Sequence, residues 1–203
     1  MAEGANTPIQ LLVGLGNPGP TYAETRHNAG AWLLERFCQS NHLDLKTETK
    51  FHARVGKTTF NGKEVKILIP TTFMNHSGQA VGAISKYYNI PLNAILIAHD
   101  DLDIPTGCVR LKTGGGHGGH NGLRDIIHHL GGREFHRLRI GIGHPGHKDH
   151  VLDYVLHRPS KHEEQQINLA IDEVLGVLPK IIQGEWSTVM NQLHSFSGIS
   201  VKS

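Results

Sequence analysis

The apolar positions of this chain alternate between short continuous runs and longer stretches at helical spacing. Ile9, Leu11, Leu12 and Val13 form the first run, and Ala94 to Ala98 (AILIA) forms the clearest one. Neither run is long enough for a helix, and neither alternates apolar with polar, so both read as strands buried on both faces. Between them a helix is predicted from about His27 to Cys38, with Trp32, Leu33 and Phe37 inward and Glu35 and Arg36 toward water. The polar stretch Gln39 to Lys50 reads as a connection. Two β-like runs follow, His52 to Phe60 and Lys63 to Ile69, and the Asn61-Gly62 between them predicts an antiparallel hairpin because both residues tolerate positive φ. Pro70 to Asn75 then leads into a helix ending near Tyr88, with Val81, Ile84 and Tyr88 at helical spacing and Asn75 at its first turn.

The second half continues the alternation. Cys108 to Lys112 reads as a strand and Asn121 to Leu130 as a helix, and His136 to Ile142 and Val151 to Leu156 are two further strand-like runs. Ser160 with Glu163 makes a capping box, which opens a helix carrying Ile167, Ile171, Val174, Leu175 and Leu178 on one face, with a bend expected at Pro179. A last short helix holds Trp186, Val189, Met190 and Leu193. Alternating strands and helices with one hairpin predict an α/β fold, a single domain with a mixed, mostly parallel twisted sheet and helices on both faces. The expected domain spans residues 9–196, with loose ends at Met1–Pro8 and Ser197–Ser203.

Composition adds limits rather than a function. The 203 residues suffice for one full core. There is no apolar run near the roughly 20 residues that cross a bilayer, and Met1 to Pro8 has no signal-peptide pattern, so a cytoplasmic protein without a membrane partner is expected. Cys38 and Cys108 form no paired motif and read as two small buried residues of a reducing compartment. The formal charge is only +2, but Arg110 to Arg158 carries eight Lys or Arg against four Asp or Glu, and nine of the sixteen histidines. That basic region makes a polyanion partner plausible.

The chemistry gathers at the ends of elements. Gly14 to Gly30 (GLGNPGPTYAETRHNAG) lies where the first strand hands over to the first helix, the usual place for a site in an open α/β sheet. Gly14, Gly16 and Gly19 mimic a dinucleotide fingerprint, but Pro18 and Pro20 postpone the helix whose N–H groups would meet a pyrophosphate, and Glu35 lies inside a helix. Gly114 to Gly122 (GGGHGGHNG) lacks the Gly-Lys-Ser/Thr ending of a P-loop; its six glycines remove nearly all side chains, so the loop does not serve packing. His117, His120, His128 and His129 have no zinc spacing, and His162-Glu163-Glu164-Gln165-Gln166 stops short of HExxH. A covalent nucleophile finds no nucleophile elbow and no activated cysteine.

What remains is a hydrolase using activated water, if the protein is an enzyme. His27 at the mouth of the first helix can act as a general base, and Asp100 at the end of the central strand can orient its ring and stabilise the imidazolium. Asn17, Asn75 and Asn121 are neutral amides in three separate loops, each able to donate to and accept from a peptide backbone or a water. The site requires all five to meet.

At these residues the chain resembles bacterial-type peptidyl-tRNA hydrolase. The likeness runs from Ile9 to Phe196 and is carried by six ordered blocks: GLGNPG (14–19), TRHNAG (25–30), PTTFMN (70–75), AHDDLD (98–103), GGGHGGHNGL (114–123) and FHRLRIGIGHP (135–145). The resemblance implies a monomeric α/β enzyme that hydrolyses the ester joining a peptide to the terminal ribose of tRNA and recycles tRNA from stalled translation, with no cofactor and no metal. It implies that His27 is the catalytic base, that Asp100 is its partner and that Asn75 positions the water and helps stabilise the oxyanion. Asn17 and Asn121 would hold the peptide backbone, with Tyr22, Met74 and His120 lining the cleft, and the glycines of the opening loop would give the peptide clearance. Lys112, Arg139 and Lys148 match positions that contact tRNA phosphates. The family often has Glu where this chain has Asp101, which leaves Asp100 intact. A non-catalytic RNA-binding relative and a metal-dependent esterase are the alternative expectations.

Overall fold

The computed structural model describes residues 7–196, so the loose ends expected at Met1–Pro8 and Ser197–Ser203 lie outside the described residues apart from Thr7 and Pro8. Seven strands form one sheet: β1 (Leu11–Gly14), β2 (Lys46–Glu48), β3 (Ala53–Phe60), β4 (Lys63–Pro70), β5 (Ile95–Asp101), β6 (Val109–Thr113) and β7 (His136–Gly141). Their spatial order is β2-β3-β4-β1-β5-β7-β6. The four central strands β4, β1, β5 and β7 run parallel, and antiparallel pairings add β3 and β2 at one edge and β6 at the other. Six α-helices accompany the sheet: α1 (Ala29–Ser40), α2 (Ser77–Tyr88), α3 (Asn121–Leu130), α4 (Val151–Val155), α5 (Lys161–Ile182) and α6 (Trp186–Ser195). This is the single-domain mixed α/β architecture the sequence predicts.

The core divides into two layers because side chains of a strand alternate between faces. Leu12, Leu96, Ala98, Leu138 and Ile140 pack with α1, α5 and α6, whereas Leu11, Val13, Ile95 and Ile97 pack with α2 and α3. Along β5 this parity sends Asp100 to the side of Leu96 and Ala98 and His99 to the other. The Asn61-Gly62 hairpin forms with both residues at positive φ. The Ser160 and Glu163 capping box is present with both reciprocal bonds.

Three expectations need correction. Gln39 to Lys50 is not only a connection, since Lys46–Glu48 forms β2. Its charged residues hide a strand from a hydrophobic pattern, as edge strands commonly do. Val151 to Leu156 is not a strand but mostly α4, a short helix with Val155 buried and Leu152 in solvent. Six residues of mixed polarity do not separate the two periods. Finally, Gly14, Gly16 and Gly30 of the opening loop serve packing, while Gly19 borders open space. A methyl carbon on Gly30 would lie 2.1 Å from the Ala98 carbonyl oxygen, and one on Gly14 would lie 2.6 Å from the Gly30 oxygen. The first turn of α1 thus rests directly on the backbone of β1 and β5, which brings the mouth of α1 to the end of the central strand.

Candidate active site

The residue order Arg26-His27-Asn28 forms a 3-10 turn immediately ahead of α1. His27 is only 9% exposed and Asp100 only 2%. His27 Nδ1 lies 2.9 and 3.0 Å from the two Asp100 carboxylate oxygens. A carboxylate accepts only, so Nδ1 carries the proton and Nε2 is left with a free lone pair. Burial lowers the affinity of the His27 ring for a proton, but the Asp100 charge and hydrogen bond more than offset this, and its pKa lies above the ordinary value of 6.5. Burial likewise opposes ionisation of Asp100, yet the charge and hydrogen bonds of His27 and His120 hold its carboxyl far below the usual carboxylate range.

His120 reaches the same carboxylate from the other layer. It precedes α3, where its Nδ1 accepts the Leu123 N–H at 3.3 Å. That bond forces the proton onto Nε2, which donates to Asp100 Oδ1 at 3.0 Å. The His120 ring centroid stands 4.9 Å from that of His27. His99, next to Asp100, turns away and donates from Nδ1 to the Asp100 carbonyl at 2.7 Å. Burial first, and the neighbouring His120 second, push the His99 pKa down.

A second group adjoins the first. Asn17 Oδ1 accepts the Met74 N–H at 2.7 Å, which leaves its Nδ2 donor available. The Asn28 side chain clamps the Asn17 backbone at both ends, accepting its N–H at 2.8 Å and donating to its carbonyl at 2.9 Å. A methyl carbon on Gly122 would lie 2.6 Å from the Met74 sulfur and 3.1 Å from His120 Cε1, so Met74, the start of α3 and His120 are in packing contact. Tyr22 sets its ring edge-on to Phe73, with centroids 6.1 Å apart, and Phe73 is 53% exposed beside this group.

Asn75 lies in a 3-10 turn (Met74–His76) just ahead of α2, and Asn121 opens α3. The two share a shallow cavity of about 300 Å³ with Arg124, Asp125 and His128. Neither asparagine hydrogen-bonds to His27 or Asp100 among the described residues, so the structure joins them to the site through Met74 and α3 rather than directly. A second cavity, also about 300 Å³, is bounded by Asn17, Asn28, Arg54 and Thr71 and contains neither His27 nor Asp100.

The three expected phosphate contacts occupy different settings. Lys112 is exposed on β6, and Lys148 is exposed in a 3-10 turn before α4. Arg139, on β7, is half-buried and donates from Nε to Asp101 at 2.7 Å. Pairing of β6 with β7 sets Arg110 opposite Arg139 and Lys112 opposite Arg137. These four alternate with the buried Val109, Leu111, Leu138 and Ile140, which gives the edge pair one basic face. Arg137 is buried and donates to the carbonyls of Gly115 and Gly116, tying the glycine loop to this edge. Sequence reasoning missed Arg26, Asn28, Phe73, Arg110 and Arg137. Arg26, Asn28, Phe73 and Arg137 stood inside the quoted blocks, but nothing in their residue type marked them out from their neighbours.

His27, Asp100 and His120 are the one group among the described residues whose ligand-type atoms all lie within 4.8 Å of one another. Those nitrogens and oxygens are already paired through the hydrogen bonds described above.

Among the described residues, a histidine and carboxylate pair closes the central strand of an α/β domain, an arrangement with the chemistry of a general base. Comparison with known proteins makes this specific. Residues 11–200 match the family model of peptidyl-tRNA hydrolase. A curated peptidyl-tRNA hydrolase from Pseudomonas paraeruginosa is 55% identical over 190 residues, covering 93% of this chain and 98% of the relative. One from Azotobacter vinelandii is 52% identical with the same coverage. The crystal structure of peptidyl-tRNA hydrolase from Acinetobacter baumannii is similar with a TM-score of 0.91 at 48% identity, covering 98% of this chain and 100% of that one. The chain belongs to the peptidyl-tRNA hydrolase family.

Proposed function

We propose that the protein hydrolyses the ester between a peptide and the terminal ribose of tRNA, releasing free tRNA and peptide, with His27 as general base. The observation that carries this reading is the His27 Nδ1 contact of 2.9 Å to Asp100, which leaves Nε2 as the acceptor for a water proton. In the reaction a water gives its proton to Nε2 as its oxygen attacks the ester carbonyl. The imidazolium so formed is stabilised by Asp100 and returns the proton to the leaving ribose oxygen. An alkoxide is a better leaving group than an amine, so one base of about 10² to 10⁴-fold effect with oxyanion donors suffices and no covalent intermediate is required.

Asn17 supports peptide recognition because Met74 occupies its acceptor and leaves its donor for a substrate carbonyl. Asn75 positions the water and helps stabilise the oxyanion, and Asn121 holds the peptide backbone, with Tyr22, Met74 and His120 as walls. Neutral amides directed at a backbone accept many side-chain sequences but need a peptide bond beside the ester. Simple aminoacyl-tRNA is therefore a poor substrate. Arg139, Lys112 and Lys148, together with Arg110, meet phosphates without reading bases, which suits an enzyme acting on most tRNAs. No helix among the described residues is long and apolar enough to cross a membrane, and the reading is of a monomer acting in the cytoplasm.

The test is release of free tRNA from an N-blocked aminoacyl-tRNA, with and without exhaustive chelation. The expected result is equal turnover in both arms, and no turnover with His27→Ala while tRNA binding persists. Turnover lost on chelation and restored by a divalent ion would replace this reading by a metal-dependent esterase. Binding without turnover in the wild-type chain would replace it by an RNA-binding relative.

A further inference from the structure

The 3-10 turn that presents His27 has no side-chain cap at Thr25, and Asn28, at the N-cap of α1, spends its side chain on Asn17 instead of the helix. What holds the turn from the other side is Arg26, only 7% exposed. Its Nη1 donates to the carbonyls of Tyr154 at 3.1 Å and His157 at 3.3 Å, and its Nη2 donates to Glu163 Oε2 at 3.0 Å. The Arg26 backbone N–H also donates to the His157 carbonyl, at 3.1 Å. The guanidinium lies 4.0 Å from the centre of the Tyr154 ring. Tyr154 in turn donates its hydroxyl to the Ile142 carbonyl at 2.6 Å and contacts Glu163 at 3.3 Å. Glu163 is also the capping-box acid of α5. One side chain thus latches the His27 turn to α4 and to the start of α5, and Tyr154 carries the contact on to Ile142, just past β7.

Burying an arginine is costly unless its donors are paired, and a hydrophobic residue of similar volume often serves stability as well. The sequence spends this charge directly beside the candidate base. We propose that Arg26 is a positioning residue, which fixes the His27 ring against Asp100 by anchoring its turn to α4 and α5. The proposal rests on the reading of His27 as the base. It also ties the base to the segment bearing Lys148, because the turn Lys148–His150 runs directly into α4. The groups facing the His27 ring are Asp100 and His120, and Arg26 acts on it only through the backbone of the turn.

The experiment compares Arg26→Met, Arg26→Lys and Tyr154→Phe in the full chain. It measures kcat, KM, the pH profile on N-blocked aminoacyl-tRNA, and the titration of His27 by NMR. Arg26→Met is expected to lower kcat by about 10- to 100-fold, the scale reached when a catalytic group is displaced by about 1 Å, with a much smaller change in KM. Its His27 titration and the acid limb of its rate move together to lower pH as the ring loosens from Asp100. Arg26→Lys, which can still donate to the same carbonyls, recovers part of kcat. Tyr154→Phe keeps the carbonyl acceptors and shows a smaller change in the same direction. Should Arg26→Met fail to fold, Tyr154→Phe and Arg26→Lys decide the matter by the same readouts. Folded variants with wild-type kcat and an unmoved His27 titration overturn the proposal. A wild-type chain that releases no tRNA defeats the functional reading instead, and the NMR titration then judges the positioning role by itself.

Discussion

Replacing Asp100 by Asn keeps the side-chain shape at a position 2% exposed but removes the charge that two imidazoles share. An amide accepts on one atom and donates on the other. His120 cannot adapt, because its Nδ1 already accepts the Leu123 N–H and its Nε2 must therefore donate. The amide oxygen takes the Oδ1 place, which His120 Nε2 and His27 Nδ1 both reach, and the amide NH₂ takes the Oδ2 place 3.0 Å from His27 Nδ1. There the NH₂ opposes the proton on Nδ1, and when it donates to that nitrogen the His27 proton sits on Nε2, the atom that should take one from water. Opposite charges about 4 Å apart attract by about 4 kcal/mol at an effective dielectric of about 20, close to 10³-fold in rate once the imidazolium loses its partner. The wrong tautomer brings the expected loss of kcat to about 10⁴-fold, the scale known for the same change in a serine-protease triad.

The assay is tRNA release from N-blocked aminoacyl-tRNA across the pH range where histidine titrates. In the wild-type protein only unprotonated His27 is a base, so activity falls as pH drops through a pKa raised above 6.5. In the variant the charge that raises it is gone while burial remains, and the acid limb of the residual activity moves to lower pH. Stability follows its own sign. The depressed Asp100 pKa contributes stability above the ordinary carboxylate value of about 3.9, which is lost as pH falls through the folded value, and the variant lacks that contribution. A variant within about tenfold of wild-type kcat, or an acid limb that stays in place, refutes the assignment of His27 and Asp100.

Three further outcomes are expected. Gly30→Ala would put a methyl carbon 2.1 Å from the Ala98 oxygen; overpacking of about 1–3 kcal/mol should lower Tm and, by lifting α1 from β5, lower kcat as well. Unchanged Tm would show that α1 is not held at this close approach. Asn28→Ala strips the buried Asn17 backbone of both side-chain partners and should cost about 1–3 kcal/mol in denaturant unfolding. It should also raise KM for peptidyl substrates, and an unaltered KM would separate Asn17 from peptide recognition. Lys148→Ala should weaken binding uniformly across tRNA sequences and reduce the salt slope by about one, and a slope equal to wild type would take Lys148 out of the phosphate contacts.

Much of the fold was legible in local patterns. AILIA announced a strand buried on both sides, Asn61-Gly62 announced the hairpin, and Ser160 with Glu163 announced the start of α5, because each signal depends on neighbouring residues alone. β2 and α4 were not legible. A three-residue edge strand with two charges has no apolar pattern, and Val151–Leu156 is too short for its period to decide. His27, Asp100 and the three asparagines could be singled out as candidates by chemistry and position. Gly14, Gly16 and Gly30 of the opening loop could not be read correctly, because whether a missing side chain admits a ligand or a helix depends on what packs there.

The sequence by itself determined which residues bear chemistry and which runs become strands and helices, since residue type and short-range periodicity are properties of the chain. Only the tertiary structure decided how they combine. It set His27 and His120 from opposite layers onto one Asp100 carboxylate. It also fixed which nitrogen of each ring carries a proton, and turned Arg26 and Asn28 into clamps on either side of His27. Arg26 bonds across 128 and 137 residues of chain to Tyr154 and Glu163. Partners so distant in sequence are chosen by packing of the layers, which no local pattern encodes.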